Sequence, residues 1–367
     1  VADTRFCMHI LRSDERRGHC PDAAGKPHPR NHIERVKIVH ANTICTVPLL
    51  ILQRPVEDLC CLVFDVLDGG AKTVKETAAA TGASERGLRT IMNVLVGLNF
   101  LAKTDGERYS LTPESAAFLV STKPSFQGGI LKHTSAQLMP KWLHLNEIVA
   151  TGKPMAAVNQ EGAGSDFFQQ FVVDIFPMSY PSAQVLGKAL ALGDSGAPVR
   201  VLDLAAGAGV WGIALAQSSA RVTVTAVDWA DVLPVTEKTV ARFGLTDRYA
   251  FVAGDLATAD FGSGHNVATL GHILHSEGEA RSRKLLQKTA AALATGGTIA
   301  IGEFLVNADR TGPVGGLFFA ANMLVNTDNG DTYSFEEISS WLTEAGFKDA
   351  RLLEAPGPSP LILATKA

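Results

Sequence analysis

One stretch of the 367-residue chain is built to meet a ligand with bare backbone: Val201-Leu-Asp-Leu-Ala-Ala-Gly-Ala-Gly-Val-Trp-Gly212. A β-rich run ends in an acid, Asp203, and a small-residue loop containing Ala205, Gly207 and Gly209 then opens a helix. Such a turn lets a ligand lie against main chain, with the helix N-terminus facing any anionic group. Gly207 to Gly212 also reads G-x-G-x-x-G, and Asp228 follows at the spacing of a ribose-binding acid. The loop alone leaves two cofactors open, a nicotinamide dinucleotide and S-adenosylmethionine. A second group with chemical potential is His275, in Leu270-Gly-His-Ile-Leu-His275. Imidazole changes charge nearest to neutral pH, which suits it to proton transfer. His272 lies one turn earlier, and a metal site joining the two with Glu277 or Glu279 lacks a further ligand.

These residues need a parallel sheet to bring them together. Asp203 ends its first strand, where the dinucleotide fingerprint asks for no acid. A second strand runs from Arg221 to Asp228, with Trp229 next, and a third, Tyr249 to Leu256, finishes in Gly254-Asp255-Leu256. Three acids at three successive strand ends suit an adenosine, and the balance moves to S-adenosylmethionine. The fourth strand, Asn266 to Leu270, runs into the histidines, on the face where such sheets bind ligands. Gly296-Gly297 precedes a fifth, Thr298 to Glu303, and Pro360 to Thr365 reads as a last strand at a sheet edge. Upstream, residues 56–67 predict an apolar helix broken at Gly69-Gly70. Thr73 and Ser84 are placed to cap two more helices, and Phe100 to Leu111 predicts a hairpin around Asp105-Gly106. Helix, turn, helix and hairpin make a winged helix. Residues 121–195 read as mostly helical, with breaks at Gly128-Gly129, Thr151-Gly152 and Glu161 to Gly164.

This ordered series over residues 56–367 resembles the small-molecule O-methyltransferases that use S-adenosylmethionine. The resemblance implies an α/β fold, with a C-terminal Rossmann-like sheet carrying helices on both faces and an N-terminal, mostly helical winged-helix dimerisation domain. The expected divisions are a divergent segment 1–55, the dimerisation domain 56–120, a helical linker and lid 121–195, and the catalytic domain 196–367. His275 matches the family's general base and Glu303 the acid that orients it. Asp203, Ala205, Gly207, Gly209, Asp228, Trp229, Gly254, Asp255, Leu256, His272, Ser179 and Tyr180 fall where the family holds its cofactor. Phe176, Met178, Phe319, Asn322 and Met323 fall where it lines its acceptor pocket. The implied reaction moves a methyl group to a hydroxyl of an aromatic small molecule in a cytoplasmic homodimer, without metal, nucleic acid or membrane.

The chain departs from the family pattern at several points. Relatives with phenolic acceptors often carry an acid directly after the base, where this chain has Ser276 and then Glu277. A second orienting acid belongs in the loop before the last helix, where Thr332 or Tyr333 stands, with Asp331 as a substitute. Ala205 and Ala206 replace glycines, which is tolerable while both keep negative φ. All five cysteines lie in the first 61 residues, but their spacing fits no zinc pattern.

Net charge is −4, which gives no positive field to attract nucleic acid or an anionic membrane. The second helix of the winged helix offers only Arg86 and Arg89, a thin basic face for DNA. Two alternatives remain: the same fold performing N- or C-methylation, decarboxylation or hydroxylation, and a regulator that senses S-adenosylmethionine and binds DNA.

Overall fold

The computed structural model describes residues 57–367 apart from 163, 193–195 and 358, with main chain only for 57–61. The expected divergent segment 1–55 and the cysteine side chains lie outside the described residues.

The first group of elements is α1 (Glu57–Asp68), β1 (Lys72–Thr73), α2 (Val74–Thr81), α3 (Glu85–Gly97), β2 (Leu101–Thr104) and β3 (Arg108–Leu111). Thr73 begins α2 with a reciprocal capping box: its hydroxyl accepts the Glu76 N–H at 3.2 Å, and Glu76 accepts the Thr73 N–H at 2.6 Å. Ser84 accepts the Gly87 N–H at 3.1 Å and starts α3. Asp105 and Gly106 both have positive φ, the twist a tight hairpin between β2 and β3 requires. Val63, Phe64 and Leu67 of α1 pack on Leu88, Met92 and Leu95 of α3 and on Tyr109. The two-residue β1, unforeseen in the sequence, pairs with β3 to give the order β1-β3-β2.

Helices follow: α4 (Pro113–Phe118), α5 (Gly129–His133), a π-helical turn Thr134–Leu138, α6 (Met139–Trp142), α7 (Leu145–Thr151) and the long α8 (Ser165–Ala189). Pro177 and Pro181 lie inside α8.

The remaining chain alternates β4 (Val199–Leu204), α9 (Val210–Ser218), β5 (Val222–Asp228), α10 (Leu233–Arg242), β6 (Tyr249–Ala253), β7 (His265–Gly271), α11 (Leu274–Glu277), α12 (Glu279–Ala292) and β8 (Leu293–Gly302). It closes with α13 (Val314–Asn326), α14 (Phe335–Glu344), β9 (Phe347–Leu353) and β10 (Leu361–Lys366). The seven strands are ordered β6-β5-β4-β7-β8-β10-β9, and only β10 runs antiparallel to its neighbours. Strand periodicity splits the core between two faces. Leu202, Leu204, Ile299, Ile301 and Ile362 meet α12 and α14, whereas Val199, Val201, Ala300, Leu361 and Leu363 meet α8, α9 and α10.

The last strand is not at the edge, as the sequence had suggested. β10 is enclosed between β8 and β9, which explains why Leu361 through Ala364 are all buried. The edge is β9, where Lys348, Asp349 and Arg351 are charged residues of the kind that keep an open strand from pairing further.

Candidate active site

The glycine loop lies at the C-terminal end of β4, and its backbone takes left-handed conformations at Ala205 (φ 51°), Gly207 (φ 55°) and Gly209 (φ 77°). The condition for tolerating Ala205 is therefore not met: its methyl group sits where a glycine is favoured. Ala206 is not in that region. A Cβ on Gly207 would lie 3.0 Å from Cγ1 of Val172, so α8 crosses directly against the loop.

Asp203 differs from its expected role. It is wholly buried, and each of its oxygens is taken by protein: Oδ2 accepts the Gly212 N–H at 2.9 Å and Oδ1 the Thr269 hydroxyl at 2.7 Å. It fastens the start of α9 to the sheet from behind the loop. Burial pushes its carboxyl up to about 7, against the opposing effect of these two hydrogen bonds.

Asp228, at the end of β5, remains partly accessible. Its Oδ2 accepts the Gly207 N–H and its Oδ1 the Trp229 N–H, both at 2.7 Å. Burial raises it to about 6, with the two N–H donors working the other way. Each carboxylate oxygen has a second lone pair, so the group can still accept two hydroxyls, as a ribose requires. Trp229 meets Phe168 of α8 edge-on, ring centres 5.7 Å apart. At the end of β6, Gly254 donates its N–H to the Asp228 carbonyl at 2.9 Å. Arg281 spans the Asp255 carboxylate at 3.3 Å to each oxygen, and Leu256 is buried. Open backbone at the loop and spare acceptor capacity on Asp228 fit an adenosine-bearing cofactor.

The second half of the site forms around β7 and β8. His275 is buried on α11, and its Nδ1 lies 2.7 Å from Oε2 of Glu303, just beyond β8. Burial would push Glu303 up, but His275 and then His272 outweigh it, and the carboxyl lies below its ordinary range. An ionised carboxylate only accepts, so Nδ1 carries the hydrogen of this bond, and Nε2 is the nitrogen left to exchange a proton. No described residue hydrogen-bonds Nε2. Phe319 stands edge-on to the His275 ring at 4.8 Å and stacks on Phe304 at 3.9 Å. His272 adopts φ 62°, meets Phe304 at 5.3 Å and shares a 2.7 Å hydrogen bond with the Ser359 hydroxyl. Burial brings His272 down to about 4, which leaves it neutral.

Asp331 does not replace the missing second acid. Its carboxylate turns onto the Thr332 N–H at 2.8 Å and is exposed. Thr332 is buried, with its hydroxyl on the Gly316 carbonyl. Ser276 bonds the Ile273 carbonyl, and Glu277 pairs with Arg281. Among the described residues one acid, Glu303, holds the imidazole.

Asn322 of α13 accepts at Oδ1 from Trp142 Nε1 at 3.2 Å and from Asn326 Nδ2 at 3.0 Å, leaving its own amide N–H groups to donate. Met323 is buried on the same helix. Phe176 and Tyr180 of α8 stack on each other and contact Phe243, and the Tyr180 hydroxyl donates to Gln217. None of their ring contacts reaches the His275 group among the described residues. Ser179 is buried, and the Met178 carbonyl faces Gly357.

Sequence reasoning missed Phe304, Trp142 and Trp211. Phe304 was detectable, since it directly follows Glu303. Trp211 lies across the ends of β7 and β8, where a Cβ at Gly271 would come within 1.8 Å of its Nε1. Trp142 sits on a four-residue helix with no motif around it.

An O-methyltransferase domain profile matches residues 177–348, and an O-methyltransferase dimerisation domain profile matches residues 61–121. The 3-hydroxy-5-methyl-1-naphthoate 3-O-methyltransferase of Streptomyces sahachiroi is 31% identical over 314 residues, covering 83% of this chain and 89% of that one. The tetracenomycin polyketide synthesis 8-O-methyl transferase TcmO of Streptomyces glaucescens is 26% identical, covering 83% and 90%. A candidate O-methyltransferase structure from Nostoc punctiforme superposes with TM-score 0.77 at 28% identity, covering 93% of this chain and all of that one. Human N-acetylserotonin methyltransferase, solved with S-adenosylmethionine, shares the fold at TM-score 0.75 and 22% identity, covering 93% and 100%. The chain belongs to the S-adenosylmethionine-dependent O-methyltransferases. Its cofactor is S-adenosylmethionine, and its sheet is the α/β sheet of that family. Among the described residues no helix is long and apolar enough to cross a membrane.

Proposed function

We propose that this enzyme methylates a phenolic hydroxyl of an aromatic small molecule, with His275 as general base. The observation that carries this reading is the buried His275–Glu303 pair, which leaves Nε2 to exchange a proton. The bound cofactor supplies a methyl group on a sulfonium, which an oxygen nucleophile displaces. A phenol is mostly neutral at pH 7, with an ordinary pKa of about 10, so a base that takes its proton as the new bond forms accelerates the transfer. Glu303 keeps the Nδ1 hydrogen in place and favours the imidazolium that results. Phe304 and Phe319 offer apolar aromatic surface beside the His275 ring, suited to an aromatic acceptor. Asp228 holds the ribose hydroxyls, and Gly207 and Gly209 admit the rest of the cofactor against the main chain. The S. sahachiroi and S. glaucescens relatives, named for naphthoate and polyketide substrates, agree with a fused-ring acceptor. Residues 56–120 join two copies of the chain in a cytoplasmic homodimer.

Incubation with S-adenosylmethionine and a panel of hydroxylated naphthalenes tests the reading. The expected products are aryl methyl ethers, with one equivalent of S-adenosylhomocysteine each. Cofactor binding without transfer to any phenol would overturn O-methylation of this class.

A further inference from the structure

Lys141 is a half-buried cation with no anion. Its Nζ lies 3.0 Å from Oδ1 of Asn326, 3.5 Å from the Ala156 carbonyl and 5.4 Å from the centre of the Phe167 ring. All three are neutral. No carboxylate pairs with it among the described residues. The neighbouring ionisable group, His133, is held down at about 4 chiefly by its own burial, with Lys141 adding to the effect, and contributes no negative charge. Burial also lowers Lys141 itself, and no acid offsets that.

The lysine is tied to the acceptor side of the site. Phe319, Asn322 and Asn326 follow one another along α13 at i, i+3 and i+7, the spacing of one helix face. Phe319 touches the His275 ring, Asn322 hydrogen-bonds Asn326, and Asn326 hydrogen-bonds Lys141. Trp142, next to Lys141, bonds the same Asn322 oxygen. Seven residues of helix span about 10 Å. The face therefore starts beside the His275 ring and ends beside an ammonium with no carboxylate partner among the described residues, about two helical turns along α13.

We propose that the methyl acceptor is an anion, an aromatic hydroxy acid whose carboxylate, at the far end of the ring system from the reacting hydroxyl, pairs with Lys141. This rests on the phenolic reading above and adds the charge of the substrate and the residue that reads it.

The test compares 6-hydroxy-2-naphthoate, which carries its two groups at opposite ends, with 2-naphthol, the same ring without the carboxylate. Calorimetry on the dimer saturated with S-adenosylhomocysteine measures binding without turnover. The expected result is about 10- to 100-fold tighter binding of the naphthoate, the usual worth of a hydrogen bond to a charged group. That margin should shrink as salt rises. Lys141→Met should bring the two affinities together, and Lys141→Arg should retain most of the difference. Equal binding of both compounds to the wild type overturns the proposal. So does a Lys141→Met variant that weakens both alike, the result of a purely structural lysine. If the naphthoate binds preferentially but neither compound is methylated, the phenolic reading fails and the anion site stands.

Discussion

Glu303 grips His275 at two points: one carboxylate oxygen takes the imidazole Nδ1 hydrogen, and the other accepts the backbone N–H of the same residue at 3.3 Å. A single acid thus fixes the ring, its tautomer and the start of α11. His275→Gln should lower turnover on a phenol by about 10²–10⁴-fold while leaving cofactor affinity nearly intact. The defect should narrow as pH approaches the acceptor's own ionisation. Glu303→Gln should also lower kcat, by less. Steady-state rates from pH 6 to 10 check both, and full activity of His275→Gln would remove the base from the mechanism.

Ala205 at φ 51° predicts a stabilising change in the opposite direction to most mutations. Ala205→Gly should raise stability by about 1 kcal/mol, because a left-handed alanine costs roughly 1–2 kcal/mol and glycine gives back part of that as unfolded-chain entropy. Urea unfolding measures it. A loss of stability would mean the surrounding loop needs the methyl group.

Asp203 sets a pH dependence. Its folded carboxyl sits near 7, above the ordinary 3.8, so the native state holds a proton that the unfolded chain releases. Its contribution to stability therefore declines as pH rises from about 4 to 7, by up to about 1.4 kcal/mol per unit, and is flat above. Melting curves of the wild type and Asp203→Asn should diverge across that window. A constant difference between pH 4 and 8 would contradict the raised carboxyl.

Asp228→Ala should weaken S-adenosylmethionine binding by about 2–3 kcal/mol, the loss expected for hydrogen bonds to a charged acceptor. It also removes the partner of the Gly207 N–H, so loop order and ligand contact fall together. Isothermal calorimetry is the measurement, and unchanged affinity would remove Asp228 from the cofactor site.

Light scattering at micromolar concentration should return twice the chain mass. Leu62 of α1 remains 37% exposed beside the buried Val63 and Phe64, in the stretch matched by the dimerisation-domain profile. A monomer would leave that surface without a partner.

Strong local signals made much of this legible. Thr73 and Ser84 cap the helices their sequence predicts, and Asp105-Gly106 turns the hairpin, because caps and turns are set by one or two residues. Strands β4, β5 and β7 were visible as apolar runs, since a parallel strand is buried on both faces. The position of β10 was not legible: strand order depends on how a chain returns, and nothing within Leu361 to Lys366 specifies its neighbours. The inward contacts of Asp203 were not legible for a related reason. An acid at a strand end can turn outward to a ligand or inward to a helix N–H, and only the contact with Gly212 and Thr269 decides. Lys141 and Trp142 were invisible because their importance lies in partners about 180 residues away.

The contact of Val172 ties the glycine loop to α8. The first half of α8 lies against Gly207 through Val172 and against Trp229 through Phe168, so the loop and the helix form one packed unit. Pro177 and Pro181 each lack a backbone donor, which leaves two consecutive turns of α8 with fewer internal ties immediately behind that segment. The helix thus carries its fewest backbone ties directly behind the segment that supports the loop, so the order of the loop depends on side-chain packing more than on helical hydrogen bonds there.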